Sequence, residues 1–189
     1  MTRKYVTFSK NIFIPVMNVC RNACDYCVFR ARSRDDAYVT TVSDFLTVVR
    51  NKGAATEALF SGGENPEDAA LSSFFNDRVT NEGFSSLVAY TTHLCKLAIQ
   101  HGLLPHCNLG VLSREELLEL KDVNASMGLM LETTADLKAH RNSPGKDPVL
   151  RLQMIEEAGE LKIPFTTGIL IGIGAVSYTH LTLPTKRIV

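Results

Sequence analysis

The sequence predicts an α/β fold in which about five parallel strands alternate with helices. The first observation behind this prediction is the regular alternation of strand-like and helix-like segments along the chain. The second is that the segments able to carry chemistry come directly after strands, at the carboxyl ends where such folds bind ligands. Each element is supported by local signals.

The first strand is predicted over residues 12–16 and leads directly into a cysteine-rich loop. Ser43 then caps a helix, and Gly53 ends it. The second strand, over residues 57–60, is broken by the Ser-Gly-Gly run at 61–63. These segments make up the first β/α unit and the start of the second.

A long helical region begins at Pro66 and is interrupted near residues 81–83. Its second part runs from about residue 85 to 101 and stops at Gly102. A short third strand over residues 104–109 follows the glycine. The second unit therefore has a helical connection in two parts.

Ser113 and Glu116 form a capping box, in which the hydroxyl and the carboxylate each satisfy an unpaired amide at the start of a helix. The fourth strand is predicted over residues 126–132. Asp147 with Pro148 begins the next helix, because proline suits the first helical position. A fifth strand over residues 165–171 completes the predicted sheet.

Three cysteines lie in the loop after the first strand, in the run CRNACDYC at residues 20–27. A cubane [4Fe–4S] cluster is normally held by four thiolates. The spacing of Cys20, Cys24 and Cys27 supplies three from one short loop, which leaves one iron free to bind a substrate or a cofactor. The motif therefore predicts a cluster with one open coordination position.

Zinc and disulfide bonds are the alternatives for closely spaced cysteines. A structural zinc site needs four ligands, and the next candidates lie some seventy to eighty residues further on at no finger-like spacing: His93, Cys95, His106 and Cys107. A disulfide framework is typical of small secreted chains, whereas this chain has 189 residues and five cysteines, an odd number.

Composition indicates an enzyme of the reducing cytoplasm that acts on small molecules. Twenty Lys and Arg residues balance twenty Asp and Glu residues, so no charge excess favours nucleic acid or an anionic membrane. The apolar run at 12–19 lacks the core of a signal peptide. The most apolar stretch, at 163–176, falls short of a membrane span.

The chain resembles the radical S-adenosylmethionine (radical SAM) enzymes, and in detail the CofG family of 7,8-didemethyl-8-hydroxy-5-deazariboflavin (FO) synthase subunits. The partner family CofH typically has Gly-Gly-x-His-Pro where this chain has GGENP at 62–66. The runs that carry the resemblance are FSKNIFIP at 8–15, GENPE at 63–67, NASMGLMLET at 124–133, SPGKDP at 143–148 and IPFTTGILIG at 163–172.

The resemblance implies that the three motif cysteines are the cluster thiolates and that S-adenosylmethionine binds the open iron. Tyr26 is then the aromatic residue that packs beside the cluster and the nucleoside. Gly62, Gly63 and Glu64 match the segment that holds the methionine ammonium group. Without the resemblance, Gly-Gly-Glu is a weak signal, and a tight turn with a solvated acid is the alternative.

Further cofactor-binding residues are implied in the second half of the chain. Glu132 resembles the acid that reaches the ribose hydroxyls, and Arg151 matches the arginine that pairs with the methionine carboxylate. The alternative for Arg151 is a surface arginine on an amphipathic helix. Gly168 and Gly172 bound the segment against which the adenine stacks.

The substrate pocket is expected near His106 and Asn108 after the third strand, and near residues 143–146 after the fourth. His93, His101 and His140 are predicted to be surface or packing histidines. Cys95, on a long helix, is predicted to be a core residue.

The activity implied by the family is that of a carbon–nitrogen lyase in coenzyme factor 420 biosynthesis. It forms FO from 5-amino-5-(4-hydroxybenzyl)-6-(D-ribitylimino)-uracil with release of ammonia. A flavodoxin or ferredoxin supplies the electron, and the CofH subunit or domain supplies the substrate. The alternatives are another radical SAM enzyme of the biotin synthase or hydrogenase maturation type, and an iron–sulfur binding module without catalysis.

The last fifteen residues break the resemblance. After Gly174 the family continues into further β/α units, but residues 175–189 resemble a translated sequencing adapter. The resemblance therefore implies that residues 1–174 are the N-terminal part, about five β/α units, of a partial TIM-type (β/α) radical SAM barrel whose C-terminal units are missing. Residues 175–189 are expected to be non-native, and the alternative is a real, divergent C-terminal segment. Such a fragment is expected to be inactive.

Overall fold

The five strands form one parallel sheet in the order in which they occur in the chain. The computed structural model describes residues 8–174, so the predicted non-native tail lies outside the described residues. Sequential strand order is the winding of a (β/α) barrel, in which each crossover returns the chain parallel to the previous strand. The predicted α/β fold is confirmed. The strands are β1 (Asn11–Met17), β2 (Glu57–Gly62), β3 (Leu104–Asn108), β4 (Ser126–Gly128) and β5 (Phe165–Thr166).

The connecting helices have the predicted caps at two of their N-termini. Ser113 accepts a hydrogen bond from the Glu116 amide at 3.3 Å, and the Glu116 carboxylate accepts one from the Ser113 amide at 2.7 Å. Asp147 caps the helix that starts with Pro148. The helices in residues 8–174 are α1 (Val42–Arg50), α2 (Ser72–Asn81), α3 (Leu87–Gln100), α4 (Arg114–Lys121) and α5 (Pro148–Glu160).

Two helix starts differ from the sequence prediction. The cap of α1 is Thr41 and not Ser43, because Asp44 completes a capping box with Thr41 and leaves Ser43 inside the first turn. The helical region predicted from Pro66 begins as a separate 3₁₀ turn, Pro66–Asp68, and the α-helix α2 starts only at Ser72. The 3₁₀ turn ends because Ala69 adopts an extended backbone conformation, with ψ of 161°.

Three strands also differ in length from the prediction. β2 continues through the Ser-Gly run, since Ser61 pairs with Pro15 on one side and Asn108 on the other. β4 and β5 are shorter than predicted, and an isolated bridge between Glu132 and Ile169 continues their pairing. Glu132 has a φ of +63°, a left-handed conformation that no extended strand can contain.

The two faces of the sheet have different surroundings. On the helix-facing side, Phe60 packs on Phe45 of α1, with ring centroids 5.8 Å apart. The opposite side carries a row in register that we call the lumen row: Phe13, Leu59, His106 and Ser126. Phe13 is 52% exposed, so the described residues leave this side partly open. No helix within residues 8–174 is long and apolar enough to cross a membrane.

Candidate active site

The cysteine loop after β1 and the Gly-Gly-Glu segment at the end of β2 are joined through a thiol. The Sγ atom of Cys20 accepts hydrogen bonds from the backbone amides of Glu64, at 3.2 Å, and Asn22, at 3.4 Å. The Arg21 amide also donates to the Glu64 carbonyl at 2.9 Å. The carboxyl ends of two neighbouring strands therefore place these segments together, as the sequence predicts.

Gly63 is the point of closest approach between these two segments. A Cβ atom at this position would lie 2.0 Å from the Val19 carbonyl oxygen and 2.7 Å from the Cys20 Cβ. Val19 cannot move away cheaply, because the contact is with its backbone. Glycine at position 63 therefore lets the cysteine loop lie directly against the end of β2.

We expect Gly63→Ala to lower the free energy of unfolding by about 1–3 kcal/mol, because the added methyl group collides with fixed backbone. Gly159→Ala in α5 is the matched control, since a Cβ there meets no atom within 4 Å. That change should raise the free energy of unfolding by about 0.5–1 kcal/mol through helix propensity. Urea unfolding curves of both variants measure the difference, and equal effects would contradict the close approach.

Glu64 is a buried acid held by two arginines. Glu64 is only 4% exposed, and its Oε2 atom lies 2.9 Å from Nη2 of Arg151. Its Oε1 atom lies 3.2 Å from Nη2 of Arg21. The alternative of a solvated acid in a tight turn is therefore wrong.

Arg151 is buried as well, at 2% exposure, so the alternative of a surface arginine on an amphipathic helix is wrong. Besides Glu64 it donates from Nε to the Gly145 carbonyl at 2.7 Å and from Nη1 to the Met130 carbonyl. Gly145 also packs on the acid, since a Cβ there would lie 1.4 Å from Oε1 of Glu64. The loops after three strands thus converge on the Glu64–Arg151 ion pair.

A second cluster surrounds Glu132, in the segment that follows β4. The Lys146 ammonium group lies 2.6 Å from Oε1, and the Tyr26 hydroxyl donates to Oε2. His140 Nε2 lies 2.8 Å from the Tyr26 hydroxyl and 3.4 Å from the Glu132 carboxylate. The loop after β4 and the cysteine loop therefore meet at Glu132.

The protonation states in this cluster follow from burial and charge. Burial acts to raise the pKa of Glu132, but the charge and hydrogen bond of Lys146, together with the Tyr26 hydroxyl and the Arg151 charge, lower this pKa below its usual value. Burial, followed by the hydrogen bond to Glu132, raises the pKa of Tyr26. Burial lowers the pKa of His140. Glu132 is therefore an ionised acceptor and Tyr26 a protonated donor at neutral pH.

His140 is a packing histidine as predicted, since its ring packs edge-on against Tyr26 with centroids 5.6 Å apart. Its contacts with Tyr26 and Glu132 in the site were not predicted. Its position in the loop that follows β4, at the carboxyl edge of the sheet, was the available signal. The predictions for the other two histidines are confirmed. His93 packs on Phe84, with ring centroids 4.9 Å apart, and His101 is exposed at the end of α3.

The donor set of the cysteine loop fits a cluster. Cys20, Cys24 and Cys27 are free, partly buried thiols on one loop. Within residues 8–174 no three His, Cys, Asp or Glu side chains converge on one point, as the ligands of a single ion do. A closed structural zinc site needs four ligands on one ion, whereas a cubane cluster with one open iron needs three thiolates, the number that this loop supplies.

Four further predicted residues lie outside the two clusters: Gly168, Gly172, His106 and Asn108. The Gly168 carbonyl accepts a hydrogen bond from the Glu132 amide at 2.8 Å, and Gly172 has a φ of +89° in a turn. His106, in the lumen row, bonds through Nδ1 to the Ser126 hydroxyl at 2.7 Å. Asn108 ends β3. None of these residues contacts the Glu64–Arg151 pair among the described hydrogen bonds.

Comparison with known proteins shows a family match over most of the chain. The sequence model of the radical SAM superfamily matches residues 14–177. A protein of Methanococcoides burtonii named 7,8-didemethyl-8-hydroxy-5-deazariboflavin synthase is 52% identical over 174 residues, which are 90% of this chain and 52% of that protein. Proteins of the same name from Methanoculleus marisnigri and Archaeoglobus fulgidus are 50% and 48% identical over 92% and 90% of this chain.

The chain spans about half the length of these curated relatives. Among solved structures, methylornithine synthase (PylB) is similar with a TM-score of 0.67 and 20% sequence identity. The match covers 89% of this chain and 47% of that structure. At this identity the likeness supports the fold alone, and it agrees with a partial barrel.

Proposed function

This chain belongs to the radical SAM superfamily, and from its similarity to the named synthases we propose that it is part of an FO synthase. The reaction would convert 5-amino-5-(4-hydroxybenzyl)-6-(D-ribitylimino)-uracil into FO with release of ammonia. The geometric support is the convergence of the cysteine loop with Glu64, Glu132 and Arg151 at the carboxyl edge of the sheet. The support for the substrate is the similarity to proteins that carry the synthase name.

In this proposal Cys20, Cys24 and Cys27 hold a [4Fe–4S] cluster whose open iron binds S-adenosylmethionine. When bound, this pair supplies a radical that abstracts hydrogen from the substrate. The contribution of the protein is to position both partners and to exclude water. The residues around the cysteine loop are suited to that task because they are buried and already fixed by hydrogen bonds.

The methionine part of the cofactor is assigned to Glu64 and Arg151. A guanidinium group has five N–H donors, and three of those on Arg151 are used within the protein, so two are available for a carboxylate. Glu64 accepts from Arg21 and Arg151 and keeps lone pairs for an ammonium group. The ion pair thus holds both groups in place before the cofactor arrives.

The nucleoside part is assigned to Glu132, Tyr26 and the segment from Gly168 to Gly172. An ionised Glu132 can accept hydrogen bonds from two ribose hydroxyls. Lys146 and Tyr26 fix its two oxygens, which reduces the ordering that binding requires. Gly168 lies beside Glu132 through the backbone hydrogen bond, so an adenine stacked there would be next to its ribose.

His106 and Asn108 are assigned to the substrate, since the lumen side of the sheet is where a barrel encloses its ligand. Burial lowers the pKa of His106, so its ring is neutral at pH 7. Nδ1 is occupied by Ser126, which leaves Nε2 to face a polar substrate beside Gly128. A ribityl-uracil compound offers many hydroxyl and amide groups for such contacts.

The proposed partners follow from the chemistry. A flavodoxin- or ferredoxin-type protein would deliver the electron, and a CofH subunit or domain would deliver the substrate. The oxygen sensitivity of the cluster places the reaction in a reducing compartment, and we propose the cytoplasm.

The test is an anaerobic assay of a version of the protein extended to the length of its relatives, with S-adenosylmethionine, reductant and the CofH product. We expect 5′-deoxyadenosine together with a fluorescent deazaflavin, and neither product from the Cys20→Ser variant. Deoxyadenosine without deazaflavin would indicate a different radical SAM substrate. Neither product from the unmodified protein would favour a non-catalytic iron–sulfur module.

A further inference from the structure

The three thiols of the cysteine loop differ in their hydrogen-bond donors. Cys20 accepts from two backbone amides. Cys24 accepts from the Ser143 hydroxyl at 3.2 Å. Cys27 receives no donor among the hydrogen bonds described for residues 8–174. Only the bond to Cys24 comes from a side chain that substitution can remove.

The position of Ser143 directs its hydrogen toward the sulfur. Its oxygen accepts a hydrogen bond from the Ala23 amide at 3.1 Å, which leaves the hydroxyl hydrogen for Cys24. The same Ala23 amide also donates to the Asn142 carbonyl at 3.0 Å. The Ala23 amide therefore keeps a hydrogen-bond partner without the Ser143 hydroxyl. The contact that only this hydroxyl makes is the one with the Cys24 thiol.

Ser143 is also held firmly against the cysteine loop. It is 4% exposed, so water cannot replace its hydroxyl easily. The next residue but one, Gly145, donates its amide to the Asn22 side chain at 2.8 Å, and the Asp25 amide donates to the Ala139 carbonyl at 3.1 Å. These bonds tie the loop after β4 to both sides of Cys24.

Tyr26 carries the other hydroxyl near Cys24, and burial, then Glu132 and then Cys24 raise the pKa of this tyrosine. A tyrosine has a single hydroxyl hydrogen, and Tyr26 donates it to Glu132. Ser143 therefore remains as the side-chain donor to this sulfur.

We propose that Ser143 is a positioning residue that raises the reduction potential of the cluster through its hydrogen bond to Cys24. A thiolate bound to iron carries no hydrogen and can only accept. Reduction adds negative charge to the cluster and its sulfurs, so a donor to sulfur stabilises the reduced form more than the oxidised form. The inference rests on the proposed function, which supplies both the cluster and the external one-electron donor.

The experiment is a redox titration of the reconstituted, full-length protein, followed by electron paramagnetic resonance (EPR) of the reduced cluster. We expect Ser143→Ala to keep the iron content of the wild type and to have a more negative midpoint potential. At the wild-type midpoint, the ratio of reduced to oxidised cluster should fall by about threefold, the order expected for one modest hydrogen bond. For a one-electron couple this is about 28 mV.

Two further variants separate the hydroxyl from the shape of the side chain. Ser143→Thr keeps the donor and should retain the wild-type midpoint potential, whereas Ser143→Gly lacks it and should follow Ser143→Ala. An unchanged midpoint potential in both donor-free variants would overturn the proposal. A midpoint potential of Ser143→Thr as negative as that of Ser143→Ala would also overturn it. Loss of the cluster from both donor-free variants would also overturn it, because the hydroxyl would then serve assembly.

Failure of the proposed function gives a different result in the same experiment. If the wild-type protein forms no [4Fe–4S] cluster whose EPR spectrum responds to S-adenosylmethionine, the cofactor assignment itself is wrong. If that response is present and the midpoint does not depend on Ser143, only the tuning role is wrong.

Discussion

Serine in place of Cys20, Cys24 or Cys27 should remove the cluster, so that iron falls from about four atoms per chain to a small fraction of one. In the proposed site each thiolate would be the only protein ligand of one iron, and the two other cysteines of the sequence, Cys95 and Cys107, are buried elsewhere and could not replace it. The Fe–S absorption and the EPR signal of the reduced protein should disappear in step. Anaerobic reconstitution followed by iron, sulfide and EPR analysis measures the effect.

Cys95 and Cys107 provide the matched controls, because they are buried on the opposite, helix-facing side of the sheet. Their Sγ atoms lie 3.6 Å apart, between α3 and β3. Burial, reinforced by Cys95, raises the pKa of Cys107 well above its usual value, so it is a protonated core thiol. Serine at either position should leave the iron content intact. If Cys107 were equally necessary, a four-thiolate site would replace the open-iron interpretation.

The second large effect is expected at the buried ion pair. Arg151→Met should lower the free energy of unfolding by about 3–5 kcal/mol, because it leaves a buried carboxylate with one of its two arginines missing. The carbonyl groups of Gly145 and Met130 lose their donors in the same variant. Denaturant unfolding monitored by circular dichroism measures this loss.

Arg114→Met is the control for the loss of a charged side chain. Arg114 pairs with Glu160 at 2.7 Å, but both side chains are about half exposed. An exposed pair contributes at most about 1 kcal/mol, so this variant should unfold almost like the wild type. Equal losses from the two variants would contradict the account of Glu64 and Arg151 as a buried anchor.

The order of the helices and strands could be predicted from the sequence, and so could the positions of the candidate site residues along the chain. Alternating segments predicted the parallel sheet, and the capping residues at Ser113 and Asp147 predicted two helix starts. Glu132 and Arg151 could be placed through the family resemblance, and Glu132 does contact Tyr26 of the cysteine loop while Arg151 contacts Glu64. These features depend on local pattern or on whole motifs, which a single sequence displays directly.

The contacts within the site could not be predicted, because they join residues far apart in the chain. Glu64 meets Arg151 across 87 positions, and Tyr26 meets His140 across 114. Tertiary packing sets these distances, and no local periodicity reports them. The left-handed backbone at Glu132 is a further example, since a glutamate gives no local signal for it. His140 therefore looked like an ordinary loop histidine.

The central claim is that three thiolates hold a [4Fe–4S] cluster whose fourth iron is open to S-adenosylmethionine. The most direct test is the EPR spectrum of the reduced cluster in the full-length protein, recorded with and without S-adenosylmethionine. We predict a changed spectrum on addition, and we expect Glu132→Ala, which removes the acid proposed to bind the ribose, to weaken that change. An identical spectrum in the presence of saturating S-adenosylmethionine would show that no iron is open to it, and would contradict the account.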